Sequence, residues 1–479
     1  MIDFAFTLIL GAPVLGVVLL AVISGYRLGA WLNVVLAAAA FAGACLLFLS
    51  PMDAGIFFLV DSFNISLVAL NTFIGLTTSI FSASYIGHEL KTRHLTRGNL
   101  RFYHALYQSM MGAMSLALLS NNLGLMWVGL EVATLSTVIM VGIYRTPEAI
   151  EAAWKYFILG SVGIALAFFG TILLYVSAQQ VLGEGMVALT WTRLVASSGA
   201  FDPALLSLAF AFLLVGYGTK VGLAPLHAWL PDAHAEGPTP ISAVLSGLLL
   251  NVALYAVLRI KMIMAGNAGA IPPGPVMMFM GLVSVMFAAL MLYRRRDIKR
   301  LFAYSSIEHM GIITFAFGMG GPLANFAGLL HMTMHSLTKS AIFFAVGHVA
   351  QARGTQRLSA ITGLAQSNPV LAWAFALGVV AIAGVPPFGI FTSEFLLLTT
   401  TFARQPILAG LLALGILIAF GALVMRLQGV VFGAPQAASR KVSASSVPIF
   451  IHLALVLLAG LWLPPVLMQW FQQVARLLG

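Results

Sequence analysis

Charge is what this chain lacks. Of its 479 residues only 8% are Asp, Glu, Lys or Arg, against 61% hydrophobic. A soluble domain carries roughly 25% charged residues, so a water-soluble fold of this size is excluded and the bilayer is the solvent. Cysteine is nearly absent as well. Cys45 stands alone inside an apolar run, which rules out a disulfide, a CxxC zinc site or an iron–sulfur cluster held within the chain. Long polar stretches are missing too: the longest, about 177–203, is too short for a soluble domain. No basic n-region precedes the first apolar stretch and no small-residue cleavage site follows it, so it reads as a retained helix. The net charge of +10 would suggest nucleic acid in a soluble protein. Here the bases sit in short loops between apolar runs, and topology explains them better.

What is present is a succession of apolar runs, each near the roughly 20 residues a spanning helix needs. They fall at about 4–24, 29–49, 57–87, 103–120, 122–144, 154–176, 204–230, 239–262, 273–293, 299–319, 322–350, 369–398, 404–432 and 446–473. The expected fold is therefore an all-α integral membrane protein of about fourteen transmembrane helices. Loops after odd-numbered runs hold Arg27, Lys91, Arg93, Arg97, Arg101, Arg145, Lys155, Arg294, Arg295, Arg296, Lys299, Arg300, Arg353, Arg357, Arg440 and Lys441. Loops after even-numbered runs hold only Arg193, Arg259, Lys261 and Arg404. The positive-inside rule puts the odd loops in the cytoplasm and both termini outside.

The seventh run is interrupted at Gly222-Leu223-Ala224-Pro225 and the twelfth at Gly384-Val385-Pro386-Pro387. Two inverted five-helix repeats, 103–262 and 273–432, would place these breaks at matching positions and point to an ion site near the midplane. Residues 1–102 then form three leading helices and 446–479 a closing one. Ordinary proline kinks are the simpler alternative.

Few charges fall well inside the runs: Glu131 in the fifth, Lys220 just before the first break, Lys339 in the eleventh, Glu394 just after the second break and Arg426 in the thirteenth. Each is costly at midmembrane, at ~2.5–3.5 kcal/mol by insertion scales. His331, His335 and Lys339 recur at intervals of four, which sets them on one helix face. Histidine exchanges protons near neutral pH, so the stripe reads as a segment of a proton path. Packing histidines are the plain alternative. Metal or haem is the other, disfavoured because no carboxylate or cysteine flanks HMTMH. Glu308 and His309 read as interfacial, Asp53 and Asp61 as lying near the outer surface, and His227, Asp232, His234 and Glu236 as an entry funnel or a solvated loop.

The segments TKVGLAPLHAWLPDAHAEGPTPISAVLSG (219–247), RRRDIKRLFAYSSIEHMG (294–311) and GVPPFGIFTSEFLLL (384–398) resemble the antiporter-like subunits shared by complex I, membrane-bound hydrogenases and Mrp-type sodium/proton antiporters. GVPPFGIFTSEF and EAAWKYFILGSVGIALAFFGTILLY (151–175) are most similar to component F of hydrogenase-4 and formate hydrogenlyase type complexes. The resemblance implies an ion pair between Glu131 and Lys220 and an exit controlled by Glu394. Where the family often has a further lysine in the eighth helix, this chain has Asn251. It also ends without room for the long lateral helix of the largest members. The implied function is a proton-translocating subunit of a redox-driven complex, with a Mrp-type cation/proton antiporter subunit or a purely structural anchor as alternatives. The implied site residues are Glu131, Lys220, Asn251, His331, His335, Lys339, Glu394 and Arg426. No cofactor or metal is expected in this chain. Iron–sulfur clusters, and NiFe in a hydrogenase, belong to partner subunits: further membrane subunits and a peripheral redox arm. The implied location is the cytoplasmic membrane of a bacterium or archaeon, and nucleic acid is not a partner.

The charge bias generates a test. Single cysteines placed in Lys91–Arg101 or Arg294–Arg300 should resist an impermeant thiol reagent added outside intact cells and react in inverted vesicles. Labelling from outside would reverse the orientation.

Overall fold

The computed structural model describes residues 1–434 and 445–479. Arg440 and Lys441, counted above with the cytoplasmic loops, lie outside the described residues. The chain is built of helices, as its apolar runs demand of a backbone in hydrocarbon. They are α1 (Ile2–Val22), α2 (Tyr26–Leu47), α3 (Ser62–Lys91), α4 (Arg97–Leu119), α5 (Leu123–Tyr144), α6 (Pro147–Leu182), α7 (Pro203–Val221), α8 (Thr239–Ala265), α9 (Pro273–Leu292) and α10 (Ile298–Met319). There follow α11 (Pro322–Arg353), α12 (Pro369–Ile382), α13 (Gly389–Arg404), α14 (Pro406–Phe432), α15 (Val447–Leu461) and α16 (Pro465–Leu477). Nine are long and apolar enough to cross a membrane by that measure alone, ten if α15 and α16, bent by 80°, form one span. The helices outside that set include α10 and α11, which carry Lys299, Glu308, His309, His331, His335, Lys339 and His348 and so fall short on apolarity rather than on length. The only strands among the described residues are a short hairpin, Asp53–Ala54 with Leu59–Val60.

Burial follows from which neighbours each helix has. The 18-residue window of α8 is wholly buried, and α10 and α11 are buried on nearly every side. These three form the interior. The rim shows apolar side chains to the surroundings: Val18, Trp154, Phe279, Leu290, Ile407 and Leu417 are all more than half exposed. An exposed apolar belt of this kind is what lipid covers.

Close helix pairs depend on small residues, because lipid gives apolar side chains no reason to prefer one another and backbone approach must supply the packing. On α9 and α10 the pairs are Gly274 against Gly318 and Gly281 against Gly311. A Cβ on Gly281 would stand 2.6 Å from the Gly311 carbonyl oxygen and 2.7 Å from the Phe315 nitrogen. On α6 and α7, Gly163 meets Gly216, and a Cβ on Gly163 would lie 3.0 Å from the Gly216 carbonyl oxygen. Both seams repeat every seven residues, Gly274 to Gly281 and Gly163 to Gly170.

Several expected positions are corrected. The seventh run ends as a helix at Val221, not near 230. Arg259 and Lys261 are not loop residues but lie inside α8, with Arg259 only 1% exposed. Arg259 is held by Asp61, the N-cap of α3, at 2.7 Å. The rings of Trp191, Tyr255 and Phe63 surround its guanidinium at 4.3, 4.8 and 5.3 Å. Removing these two from the outer loops sharpens the charge asymmetry between the two faces.

Gly281→Val should wedge α9 from α10 and destabilise the protein by about 2 kcal/mol or more. Gly410→Val, where nothing lies within 4 Å of the added Cβ, should leave the melting temperature in the same detergent close to wild type. Equal melting temperatures would remove the seam from the fold's supports.

Candidate functional site: a buried line of ionisable side chains

The first group gathers at the end of α7. Lys220 is the penultimate residue of that helix, which Gly222 closes in the left-handed conformation at φ +79°. Glycine adopts that backbone at no steric cost. The turn is fixed from both sides. Trp229 donates from Nε1 to the Thr219 carbonyl at 2.8 Å, and Ala224 donates its N–H to Ser284 Oγ on α9 at 2.9 Å. Lys220 is fully buried, with Nζ 5.2 Å from the centre of the Tyr156 ring. Gly160 makes the room, since a Cβ there would stand 2.8 Å from Nζ. Lys220 Nζ and Glu131 Oε2 are both buried without a hydrogen-bond partner, and no described ion pair of 4 Å or less joins them. They are near enough to influence each other electrostatically, but the ion pair that the resemblance implies is not closed in this structure.

The second group centres on α11. Lys339 donates to the Phe302 carbonyl at 3.0 Å and lies over its ring. One turn away, His335 is fully buried with both ring nitrogens unpartnered, its ring 5.5 Å from that of His309. His309 Nδ1 is 2.9 Å from His331 Nε2, and His331 Nδ1 is 2.9 Å from Ser393 Oγ. Ser393 in turn donates to the Ile390 carbonyl at 2.7 Å. A hydroxyl that donates to a carbonyl must accept from its other neighbour. The hydrogen-bond network therefore assigns the proton of neutral His331 to Nδ1, leaving Nε2 to accept from His309 Nδ1–H. The neutral chain has one polarity, from His309 through His331 to Ser393.

Glu394 closes this end. It is 6% exposed, so the alternative that it faces bulk water or lipid is overturned. A Cβ at Gly384, another left-handed glycine at φ +68°, would collide with the Glu394 carboxylate. The Glu308 carboxylate is buried, with Oε2 unpartnered, and lies within electrostatic reach of Lys339 and Glu394.

Three residues that sequence reasoning missed are thus central. Glu308 and His309 are not interfacial. They sit ten and eleven residues into α10, about 15 Å at the helical rise. Asp297 caps that helix by accepting from the Arg300 N–H at 2.9 Å, so counting from this cap would have given the depth. His234 is not in a solvated loop. The segment forms a two-turn helix, Trp229–Glu236, where His234 is fully buried and stacks 4.9 Å from Phe343. Its neighbours Asp232 and Glu236 meet Arg300 at 3.1 and 3.6 Å, and Asp232 also meets Lys155 at 3.1 Å. This helix touches the Lys220 turn through Trp229 and lies within electrostatic reach of Lys339 through His234.

Asn251 joins α8 to α11, donating to the Ser336 hydroxyl at 2.6 Å beside His335. Arg426 is the misplaced member. Its Nη2 donates to the Tyr293 carbonyl at the end of α9, 2.7 Å away, not to Glu394. Glu394 lies ten residues before the end of α13 and Arg426 twenty after the start of α14, so the rise alone separates their depths by about 15 Å.

The expectation that no carboxylate flanks the histidines is also corrected. His309, His331 and Glu394 bring donor atoms within 4.8 Å of one another, a set zinc would accept. Two nitrogens on one zinc at 2.0–2.1 Å in a tetrahedral site stand about 3.3 Å apart. The facing nitrogens of the two rings here are 2.9 Å apart, the separation of a hydrogen bond rather than of two ligands on one zinc.

A family model described as NADH:quinone oxidoreductase/Mrp antiporter, TM, matches residues 120–420. The hydrogenase-4 component F homolog of Methylacidiphilum infernorum (isolate V4) is 57% identical over 466 residues, 97% of this chain and 98% of that protein. Among solved structures, an archaeal membrane-bound sulfane sulfur reductase complex contains a chain superposing with TM-score 0.89 at 20% identity, covering 99% of this chain and 97% of its own. A chain of the Mrp complex from Dietzia sp. DQ12-45-1b gives 0.86 at 20% identity, covering 100% of this chain and 98% of its own. At such identities the structural likeness establishes the fold.

Ser393→Ala should remove the acceptor that sets the tautomer of His331. Proton transfer should slow about 2- to 10-fold, the worth of one hydrogen bond, and Ser393→Thr should restore most of it. An unchanged rate with alanine would detach Ser393 from the chain.

Proposed function

From membership of the NADH:quinone oxidoreductase/Mrp antiporter family, to which this chain belongs, we propose that it carries protons across the membrane as the antiporter-like subunit of a redox-driven complex. The observation that carries this reading is the His309–His331–Ser393 chain in the protein interior, with Glu394 at one end and Lys339 near the other. Proton transfer requires groups that both accept and donate, within hydrogen-bond distance. Sodium would instead call for several oxygen ligands around one point, and nitrogens dominate here.

The proposed path runs from Glu131 and Lys220, past His234, to Lys339, His335, His309, His331 and Glu394. Asn251 holds α8 against the middle of α11. When Lys220 is drawn toward Glu131 it keeps its proton. When the two separate, a buried and unpartnered ammonium becomes costly, and the proton passes inward. Redox chemistry in partner subunits, at iron–sulfur clusters and a NiFe centre, supplies the drive. The near full-length relative named hydrogenase-4 component F homolog supports a hydrogenase-4 type complex with further membrane subunits and a peripheral arm. A purely structural anchor would have no use for buried Lys220, Lys339, Glu308 and Glu394.

We further propose fourteen crossings, both termini outside, in the cytoplasmic membrane of a bacterium or archaeon, and two inverted repeats, 103–262 and 273–432. The two breaks support the repeats: each follows a Gly-x-x-Pro pattern, and each begins at a glycine with positive φ. Residues 1–102 and 446–479 flank them.

The test uses the intact complex in sealed vesicles, with redox turnover and proton uptake measured together. Glu394→Gln and Glu131→Gln should leave assembly and electron transfer in place while proton translocation is lost or falls at least roughly tenfold, the low end of what positioned acid–base groups contribute. Glu394→Asp should retain part of it. Full pumping by an assembled Glu394→Gln complex would sink the proposed path.

A further inference from the structure

Arg426 has no part in the path, and its surroundings differ in kind from those of the buried lysines. It projects from α14 beside Val424 and Met425, which are exposed. With Arg296, Ser359, Thr362, Met425 and Val430 it walls an open cavity of about 500 Å³ near the ends of α9, α11 and α14. A cavity of this size is within the usual range for small-molecule sites.

Two features give the cavity its chemistry. The first is uncompensated positive charge. Among the described residues no carboxylate lies within 4 Å of either Arg296 or Arg426. The neighbouring Asp297 turns one carboxylate oxygen to the Arg300 N–H at the start of α10 and makes no ion pair with either arginine. Arg426 gives Nη2 to the Tyr293 carbonyl, which orients the guanidinium, and its remaining N–H groups stay available as donors. The second feature is position. Arg426 follows some twenty residues of apolar helix in which Leu417, Val424 and Met425 face outward. Tyr293, 40% exposed, stands beside it, and tyrosine at such a boundary marks the level of the headgroups. The groove therefore presents guanidinium groups at the membrane edge and an apolar wall running away from them.

We propose that this groove binds the phosphodiester headgroup of an anionic phospholipid, with Arg296 and Arg426 on the phosphate and the acyl chains along the exposed face of α14. Guanidinium is suited to phosphate through its forked donors, and basic pockets between helices at the membrane edge take such headgroups. A free inorganic anion would use the arginines but not the apolar wall. This inference does not depend on the proton path.

The test is made on the intact complex purified in mild detergent. Native mass spectrometry should show anionic phospholipid retained by the wild type. In lipid-depleted complex, thermal stability should rise with vesicles containing cardiolipin and not with phosphatidylcholine vesicles or with millimolar inorganic phosphate. Arg296→Gln should weaken retention about fivefold, and with Arg426→Gln the loss should reach roughly twentyfold, as expected for about one surface cation's worth of attraction each. The Arg296→Lys/Arg426→Lys pair should keep most of the affinity. If the double glutamine variant disturbs assembly, Arg296→Gln alone decides, because that side chain is exposed. Equal retention by Arg296→Gln, stabilisation by inorganic phosphate alone, or cross-links placing a partner subunit's helix in the groove would each overturn the proposal.

Discussion

Hydrocarbon offers no partner to a charge or to a bare amide. Lys220 can end its helix inside the protein because a left-handed glycine turns the chain, an indole takes up the Thr219 carbonyl and a serine on α9 accepts the Ala224 N–H. Arg259 lies inside α8 because one carboxylate and three aromatic rings surround it. Among the buried side-chain atoms left without a hydrogen-bond partner are Lys220 Nζ, Glu131 Oε2, Glu308 Oε2, His309 Nε2 and both ring nitrogens of His234 and His335. In a native interior such orphans are rare and call for an explanation. These belong to the proposed proton path, while others, such as those of Asn33, His104, Ser177 and Arg259, belong to residues outside it.

The interior and the rim follow different packing rules. At α9 and α10, and again at α6 and α7, glycines let backbones approach so closely that a single methyl group would collide with a carbonyl. These seams are rigid because no side chain lies between them to change rotamer. The polar line runs instead between α8, α10 and α11, where serine, asparagine, histidine and lysine side chains meet. Stiff seams around a core of side chains able to exchange hydrogen bonds suit a protein that must move protons without admitting ions.

Much of this could be read in the sequence. Apolar runs placed most of the helices, although the seventh ends at Val221 and the twelfth and fourteenth are each two helices, and of the isolated charges Lys220, Lys339 and Glu394 are buried and Glu131 half-buried. The spacing of His331, His335 and Lys339 put them on one face, as drawn. What escaped notice failed for identifiable reasons. Glu308 and His309 were judged by their distance from the basic run RRRDIKR, when the helix cap at Asp297 was the proper origin for measuring depth. His234 was judged by the polarity of its neighbours Asp232 and Glu236, which are satisfied by Lys155 and Arg300 from other helices. Arg426 and Glu394 lie on consecutive helices, but antiparallel neighbours place equal depth at mirrored positions, and these two are not mirrored. His234 and Arg426 depend on contacts between distant segments, which periodicity within one helix does not encode, whereas the depth of Glu308 and His309 follows from a local cap.

The histidine chain has a memory. Along the proposed path, a proton arriving at His309 Nε2 would release the one on Nδ1 to His331 Nε2, the one on His331 Nδ1 would pass to Ser393, and the serine's own hydrogen would leave toward Glu394 once it turned from the Ile390 carbonyl. Afterwards both rings hold their hydrogens on the opposite nitrogens, and the bond between them points backward. A second proton cannot follow until both rings turn over and the hydroxyl of Ser393 returns to the Ile390 carbonyl. That return is favoured at rest, since it is the arrangement the structure adopts. Conduction along the proposed path would therefore come in single strokes separated by a reset. A continuous leak down the gradient would be throttled at the same two rings that let each driven proton through.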